Sequence, residues 1–185
     1  MALLKDNQEI LMSGEELFRR PDLGPCELVN GRVIPLAPTG HGHGEVELDI
    51  GSELRGWARS SGRGRVSSGE VGIYIRRDPD TVRAADVVYI SNERFALQKD
   101  SGYFHIAPEL VVEVLSPADR WTDVNEKIED YFSAGVGRVW VVDSRLRRIS
   151  VYRSPNDVQR LDADQVLTDE ELLPGFRLSL ADLFR

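Results

Sequence analysis

The chain has 185 residues, with 23 Lys and Arg against 31 Asp and Glu, a formal net charge of -8, 41% hydrophobic and 29% charged residues. This is one domain's worth of material, residues 1–185, able to bury about 70% of the surface its extended chain exposes, and the composition excludes a disordered acidic polymer, a coiled coil and a collagen-like repeat. No apolar run approaches the roughly 18 residues that span a bilayer, and a single cysteine, Cys26, cannot build a disulfide framework, so a soluble cytoplasmic protein with no membrane attachment is expected.

Taken in chain order, Ser13 and Glu16 have capping-box spacing ahead of a helix that must stop at Pro21. Asn30-Gly31 between two apolar stretches is hairpin chemistry. Pro38 to Gly44 is rich in Gly and His and is expected to be loop. From Gly44 to Ser60 the apolar residues Val46, Ile50, Leu54, Trp57 and Ala58 recur at spacings of three and four, the face of a helix. The segment GRVSSGEVGIYIRR then predicts one bent strand or a tight pair. Asp78-Pro79-Asp80 turns the chain into the strand TVRAADVVYI. A loop with a short helix follows, and PELVVEVL is a nearly continuous apolar strand of the kind buried on both faces. Asp123 to Ala134 predicts a helix ended by Gly135. RVWVVDS and RRISVYR predict an antiparallel pair, followed by short strands near Val158–Leu161 and Gln165–Leu167 and a last helix near Ser179. The fold class is α/β, with one mixed sheet flanked by helices, an N-terminal hairpin and additional C-terminal strands.

Several chemistries have no local support. There is no GxxxxGKS or GxGxxG for a nucleotide fold, no CxxC or HExxH for zinc, and no GxSxG elbow for a serine hydrolase. Three carboxylates do stand in unusual settings. Glu113 sits between Val112 and Val114, Asp86 opens the run VVYI, and Glu70 interrupts an otherwise apolar strand. An ionised carboxylate inside such a strand is costly unless it is paired or bound to a cation. Lys127 borders the apolar stripe of Val124, Ile128 and Tyr131 on the helix after Glu113. Each of the four has an ordinary explanation, a solvent-facing strand position, a salt bridge, or for Lys127 a rim lysine paired with Asp123. Together they match phosphodiester hydrolysis, in which carboxylates hold Mg²⁺ and a lysine orients the nucleophile or offsets charge.

The string PELVVEVLSPADR, with GEVGIYI and TVRAADVVYI before it and Lys127, Tyr131, RVWVVDSRLRRISVYR and ELLPGFRLSLADLF after it, resembles the Uma2-type restriction endonuclease family, a bacterial branch of the PD-(D/E)XK nuclease superfamily. The resemblance covers nearly the whole chain and includes a histidine opening the second helix, best matched by His43. It implies a restriction-endonuclease-like fold, with Asp86 and Glu113 as metal carboxylates for Mg²⁺ or Mn²⁺ and Glu70 as a supporting acid. It also implies a DNA substrate. Two positions depart from the superfamily pattern. Ala85 stands where proline precedes the first aspartate, and Leu115 stands where an acid-x-lysine motif has its lysine. Lys127 on the following helix supplies the missing group, a relocation usual in this branch.

Further candidates surround these four. His43 at a helix start suits phosphate contact or proton transfer. Arg55, Arg59 and Arg63 form one stripe for a DNA backbone if the helix extends that far, and Trp121 beside Arg120 could stack on a base. A homodimer fits the cutting of two strands. Two other functional classes stay open: a catalytically idle binding module that keeps the nuclease fold, favoured by the net charge of -8, and a metal-dependent hydrolase of a small phosphate ester.

Overall fold

A computed structural model describes residues 11–185. In chain order its elements are α1 (Gly14–Phe18), a 3-10 turn (Pro21–Leu23), β1 (Cys26–Val29), β2 (Arg32–Pro35), α2 (His41–Ser61), β3 (Gly64–Arg76), β4 (Thr81–Ser91) and α3 (Asn92–Phe95). There follow β5 (Leu110–Val114), α4 (Trp121–Ala134), β6 (Arg138–Asp143), β7 (Arg148–Ser154), β8 (Asp157–Asp162), β9 (Val166–Asp169), β10 (Leu173–Ser179) and α5 (Leu180–Leu183).

Eight strands form one mixed sheet in the order β2-β1-β4-β5-β6-β7-β8, with β3 paired to β4. Only β5 and β6 run parallel, and α4 is the connection that a parallel pair requires. The sheet has a core on each face. On one, Val46, Ile50, Leu54 and Ala58 of α2 pack on Val87, Val112 and Trp140. On the other, Val124, Ile128 and Tyr131 of α4 pack on Val111, Val139 and Val141. All five residues of β5 are buried, as its unbroken apolar sequence requires of a strand covered on both faces.

The topology creates a fork. β3 pairs along β4 from Arg76↔Thr81 to Gly64↔Ser91, so the other two partners of β4 share its remaining edge. β1 meets it at Val82 and β5 meets it from Val87 to Tyr89. Between those contacts β4 faces side chains in place of a strand.

Most sequence-derived elements stand where the pattern puts them, including the capping box at Ser13 and the hairpin at Asn30-Gly31, both with positive φ. GRVSSGEVGIYIR takes the first of its two expected forms, one strand bent by a bulge between Ser68 and Val71. Two elements differ. α2 begins at His41, inside the Gly- and His-rich stretch expected to be loop. The last strands do not join the main sheet: β9 and β10 make a separate two-stranded one, and the strand at Leu173–Ser179 was not anticipated from sequence. Phe176 from that small sheet stacks on Trp140, ring centroids 5.9 Å apart, so it closes the α2-side core.

Candidate metal centre

The fork between β1 and β5 is where the polar groups collect. Because Val112 and Val114 face α2, the two-residue period of β5 turns Glu113 to the α4 side, with Val111. There α4 presents Lys127 and Tyr131, one helical turn apart. Tyr131 donates to Glu113 Oε1 at 2.5 Å, and Lys127 Nζ donates to Glu113 Oε2 at 3.0 Å. Glu113 is buried, with only an edge of its side chain reaching the cleft. Burial pushes its carboxyl up to about 7, and the nearby Asp86 charge pushes the same way, against the pull of Lys127.

Lys127 has a second anion. Its Nζ lies 3.0 Å from Oε1 of Glu27, the buried acid of β1, and 3.3 Å from the Ala84 carbonyl. Glu27 accepts the Ala84 N–H at 3.0 Å and Arg83 Nη1 at 2.9 Å, so a side chain completes the strand edge that the fork leaves open. Arg83, itself buried, reaches on to Asp130 and Glu126. Burial opposes the charge on Glu27, but Lys127 and Arg83 overcome it and hold the carboxyl below its ordinary value. Burial likewise opposes the charge on Lys127, and Glu113 and Glu27 carry its pKa above the ordinary one.

Asp86 lies where alternation along β4 breaks. Ala85 and Val88 both pack in the α4-side core, while Val87 packs on the α2 side. Directly across, the β3 bulge places Gly69 and Glu70 between the pairs Ser68↔Val87 and Val71↔Ala85. Glu70 holds φ 55, a left-handed backbone rare for a residue with a Cβ. Asp86 Oδ2 accepts the Val114 N–H at 2.6 Å, capping the end of the β4–β5 ladder. Its Oδ1 approaches His43 Nε2 at 3.4 Å, an ionic approach without hydrogen-bond alignment, and neither buried nitrogen of His43 has a hydrogen-bond partner. The contact with Asp86 outweighs burial and raises the imidazole's pKa. Burial and the Asp86 charge raise both Glu70 and Glu47.

These groups share a cleft of about 320 Å³, lined by His43, Glu70, Asp86, Glu113 and Lys127 with the loops 36–40 and 116–119. Its lining suits a divalent cation: Glu70, Asp86 and Glu113 face the cleft, donor atoms of His43, Glu47 and Asp86 lie within 4.8 Å of one another, and Lys127 is already committed to Glu113 and Glu27. Each Glu113 oxygen keeps a lone pair beyond its one hydrogen bond.

Of the residues singled out from sequence, the structure thus brings together Asp86, Glu113, Glu70, Lys127 and His43. Lys127 pairs with Glu113 and Glu27, not with Asp123. Arg55 and Arg59 are exposed on α2, about 18 and 24 Å along the helix from His43, and Arg63 is exposed just past it. Trp121 is 50% exposed at the start of α4 and outside the cleft lining. Sequence reasoning passed over Glu27, Glu47 and Arg83, and gave Tyr131 no part in the site beyond the apolar stripe of its helix and the family resemblance. Glu27 carries the same signal as Glu113, an acid inside the apolar strand CELV, and Glu47 carries the i,i+4 spacing to His43. Asp130 is a half-buried partner of Arg83.

Among known structures the fold is similar to the crystal structure of a putative nuclease belonging to DUF820 from Anabaena variabilis ATCC 29413, with a TM-score of 0.78 and 21% sequence identity over 94% of this chain and 97% of that one. No protein of curated function matches the chain. The family described as Uma2, putative restriction endonuclease, matches residues 15–181. With that match spanning nearly all of the sequence, the chain belongs to the Uma2 family of putative restriction endonucleases.

Proposed function

We propose that the protein is a Mg²⁺- or Mn²⁺-dependent endodeoxyribonuclease acting from the cleft at the fork. The observation that carries this reading is the joining of Asp86, Glu113 and Glu70 in one cleft with a charged lysine fixed against one of them. Asp86, Glu113 and Glu70 would hold the cation. When bound, the cation supplies a Lewis acid that lowers the pKa of a water and offsets phosphate charge. Tyr131 and Lys127 fix the orientation of Glu113 from the α4 side. Lys127 remains protonated because Glu113 and Glu27 flank it, and with its N–H groups shared among Glu113, Glu27 and the Ala84 carbonyl it acts through its positive charge, offsetting the phosphate. Hydrolysis adds the water oxygen to phosphorus and expels the 3'-oxygen with a proton, leaving 5'-phosphate and 3'-hydroxyl ends. Two copies of the chain acting together would cut both strands.

Calorimetric titration with Mn²⁺, comparing wild type with Asp86→Ala plus Glu113→Ala, tests the site without assuming a substrate. Saturable heat lost in the double variant is expected, together with Mn²⁺-dependent nicking of supercoiled plasmid by the wild type alone. Replacing Lys127 by Met lowers nicking by about 10²–10³-fold with metal binding retained. Plasmid binding without turnover at saturating metal would favour the idle binding module. Cleavage of a model diester with no affinity for plasmid would favour the small-ester hydrolase.

A further inference from the structure

The outer face of α2 carries a pattern that neither the core nor the cleft uses. At about 100° per residue, Glu45, Leu48, Asp49, Arg55, Gly56 and Arg59 all lie within about 60° of Ser52, while Ile50 and Leu54 point the opposite way into the core. Ser52 and those six residues are exposed. Leu48 is 66% exposed, a large apolar side chain in open water. A Cβ on Gly56 would meet nothing, so the helix surface there is a shallow hollow. Among the described residues, none of the four charged side chains has an ion pair or a hydrogen bond.

The pattern is its own complement. When two copies of the helix cross antiparallel at Ser52, residues equally far before and after it meet across the two-fold axis. Glu45 then faces Arg59, Asp49 faces Arg55, and Leu48 faces the hollow at Gly56, each contact made twice. Ser52 and Gly56 leave little bulk at the crossing, which suits the roughly 8–10 Å between the axes of packed helices. The helix dipole gives a rival reason for acids early and bases late, but it acts only within the first and last turns. The first turn of α2 has no acid, and Asp49 and Arg55 stand in its middle. Beside Glu45 and Asp49 lies a groove of about 630 Å³, with Asp182, Arg147 and Arg185 also on its wall, which gives Arg59 of the second copy room to seat.

We infer that the protein forms a two-fold dimer through α2, centred on Ser52, in which Glu45 and Asp49 of each copy bind Arg59 and Arg55 of the other. The dimer does not depend on the hydrolytic reading. His43 lies on the opposite side of α2 from Ser52, so the face that binds the second copy is not the face that lines the cleft. Arg55 and Arg59 serve one partner at a time. A DNA backbone laid on α2 competes with the second copy, and the monomer is the form that offers it these arginines. Exposed ion pairs are screened by salt, so the dimer weakens as salt rises.

Sedimentation velocity over a range of protein concentrations, with no DNA present, tests the interface. Wild type is expected to sediment as a dimer that dissociates on dilution and in high salt. Arg55→Glu with Arg59→Glu makes the face wholly acidic, and Glu45→Arg with Asp49→Arg makes it wholly basic. Each double variant, with the far-ultraviolet circular dichroism of wild type, should raise the dissociation constant by about 10²-fold or more. Mixed in equal amounts, the two should restore a dimer, because the acids of one copy then meet the bases of the other at every contact. Register is read separately. In a Cys26→Ser background, Ser52→Cys should cross-link to its own copy on mild oxidation, and Glu53→Cys, about a quarter turn round the helix, should not. A wild type that is monomeric at every concentration overturns the inference, as does a dimer that survives both charge reversals. A mixture that stays monomeric, or a cross-link through Glu53→Cys and not through Ser52→Cys, overturns it equally.

Discussion

Glu113 shows how one residue trades stability for chemistry. Its carboxyl titrates at about 7 in the folded chain, raised by burial, against an ordinary 4.5. Between those values the unfolded chain has released a proton that the folded chain retains, so stability falls as pH rises from about 4.5 through 7, and the loss is complete above 7. The size is on the order of 3 kcal/mol for a fully buried group. Glu27 acts in the opposite sense, because its carboxyl is lowered, and it contributes stability above its unfolded value. The Glu113 contribution is therefore isolated by difference. Glu113→Gln keeps the shape, removes the titration, and is expected to be less stable than or equal to wild type at pH 5 and more stable at pH 8 in metal-free urea unfolding. An unchanged difference between the two pH values would mean that Lys127 and Tyr131 already keep Glu113 ionised. Glu113 and Asp86 were legible because an acid between buried apolar residues has few inexpensive explanations. Glu27 was not singled out, since a four-residue hairpin strand reads equally well with one face in water. Only the meeting with Arg83 and Lys127, far away in sequence, gives it a role.

At the scale of elements, the site depends on a defect in β3. The bulge at Gly69-Glu70 lies opposite Asp86, and alternation along β4 fails at the same point. Bulges bend a strand and re-aim side chains, which is why they recur beside active sites. Gly69 accepts its φ of 92 freely, but Glu70 holds φ 55 with a side chain whose charge is disfavoured by burial and by Asp86. Glu70→Gly removes both penalties, so it should stabilise the metal-free protein by about 1 kcal/mol while weakening Mn²⁺ binding. Urea unfolding with and without Mn²⁺ reads both effects, and a loss of metal-free stability would mean that the Glu70 side chain holds the bulge together. The glycines of GRVSSGEVG announced an irregular strand without saying where its side chains aim. Helical periodicity located α2 and α4 well, because apolar faces must repeat in register with the core. The start of α2 was obscured by Gly42 and Gly44, whose helix penalty the packing of the long helix outweighs. β10 was hidden by Pro174 and Gly175, residue types that are depleted in strands. Its place is fixed by Phe176 on Trp140 and by the Trp57 Nε1–H donated to the Pro174 carbonyl at 3.0 Å.

At the scale of the whole molecule, a net charge of -8 opposes a polyanionic substrate, so the proposed DNA substrate would have to be held by a local basic patch or through bound cations. Several arginines already pair with carboxylates, Arg83 and Arg138 inside the fold and Arg77 and Arg148 at its surface. Arg55, Arg59 and Arg63 are exposed and, among the described residues, form no ion pair. Arg55 and Arg59 lie about 18–24 Å along α2 from His43, less than the ~34 Å of one duplex turn. A duplex that lay over the cleft and ran along α2 would reach this stripe within one turn. Each phosphate contact contributes about -0.9 to the slope of log affinity against log salt, so a protein relying on these three has a slope near about -3 or shallower. Plasmid-length DNA titrated at several salt concentrations, with Ca²⁺ present to occupy the cleft without supporting cleavage, should give that slope. Arg59→Ala should flatten it by about 0.9 and lower affinity similarly for every sequence tried. A slope unaltered in Arg59→Ala would move the DNA track off α2 and leave the cleft cation as the main grip on the backbone.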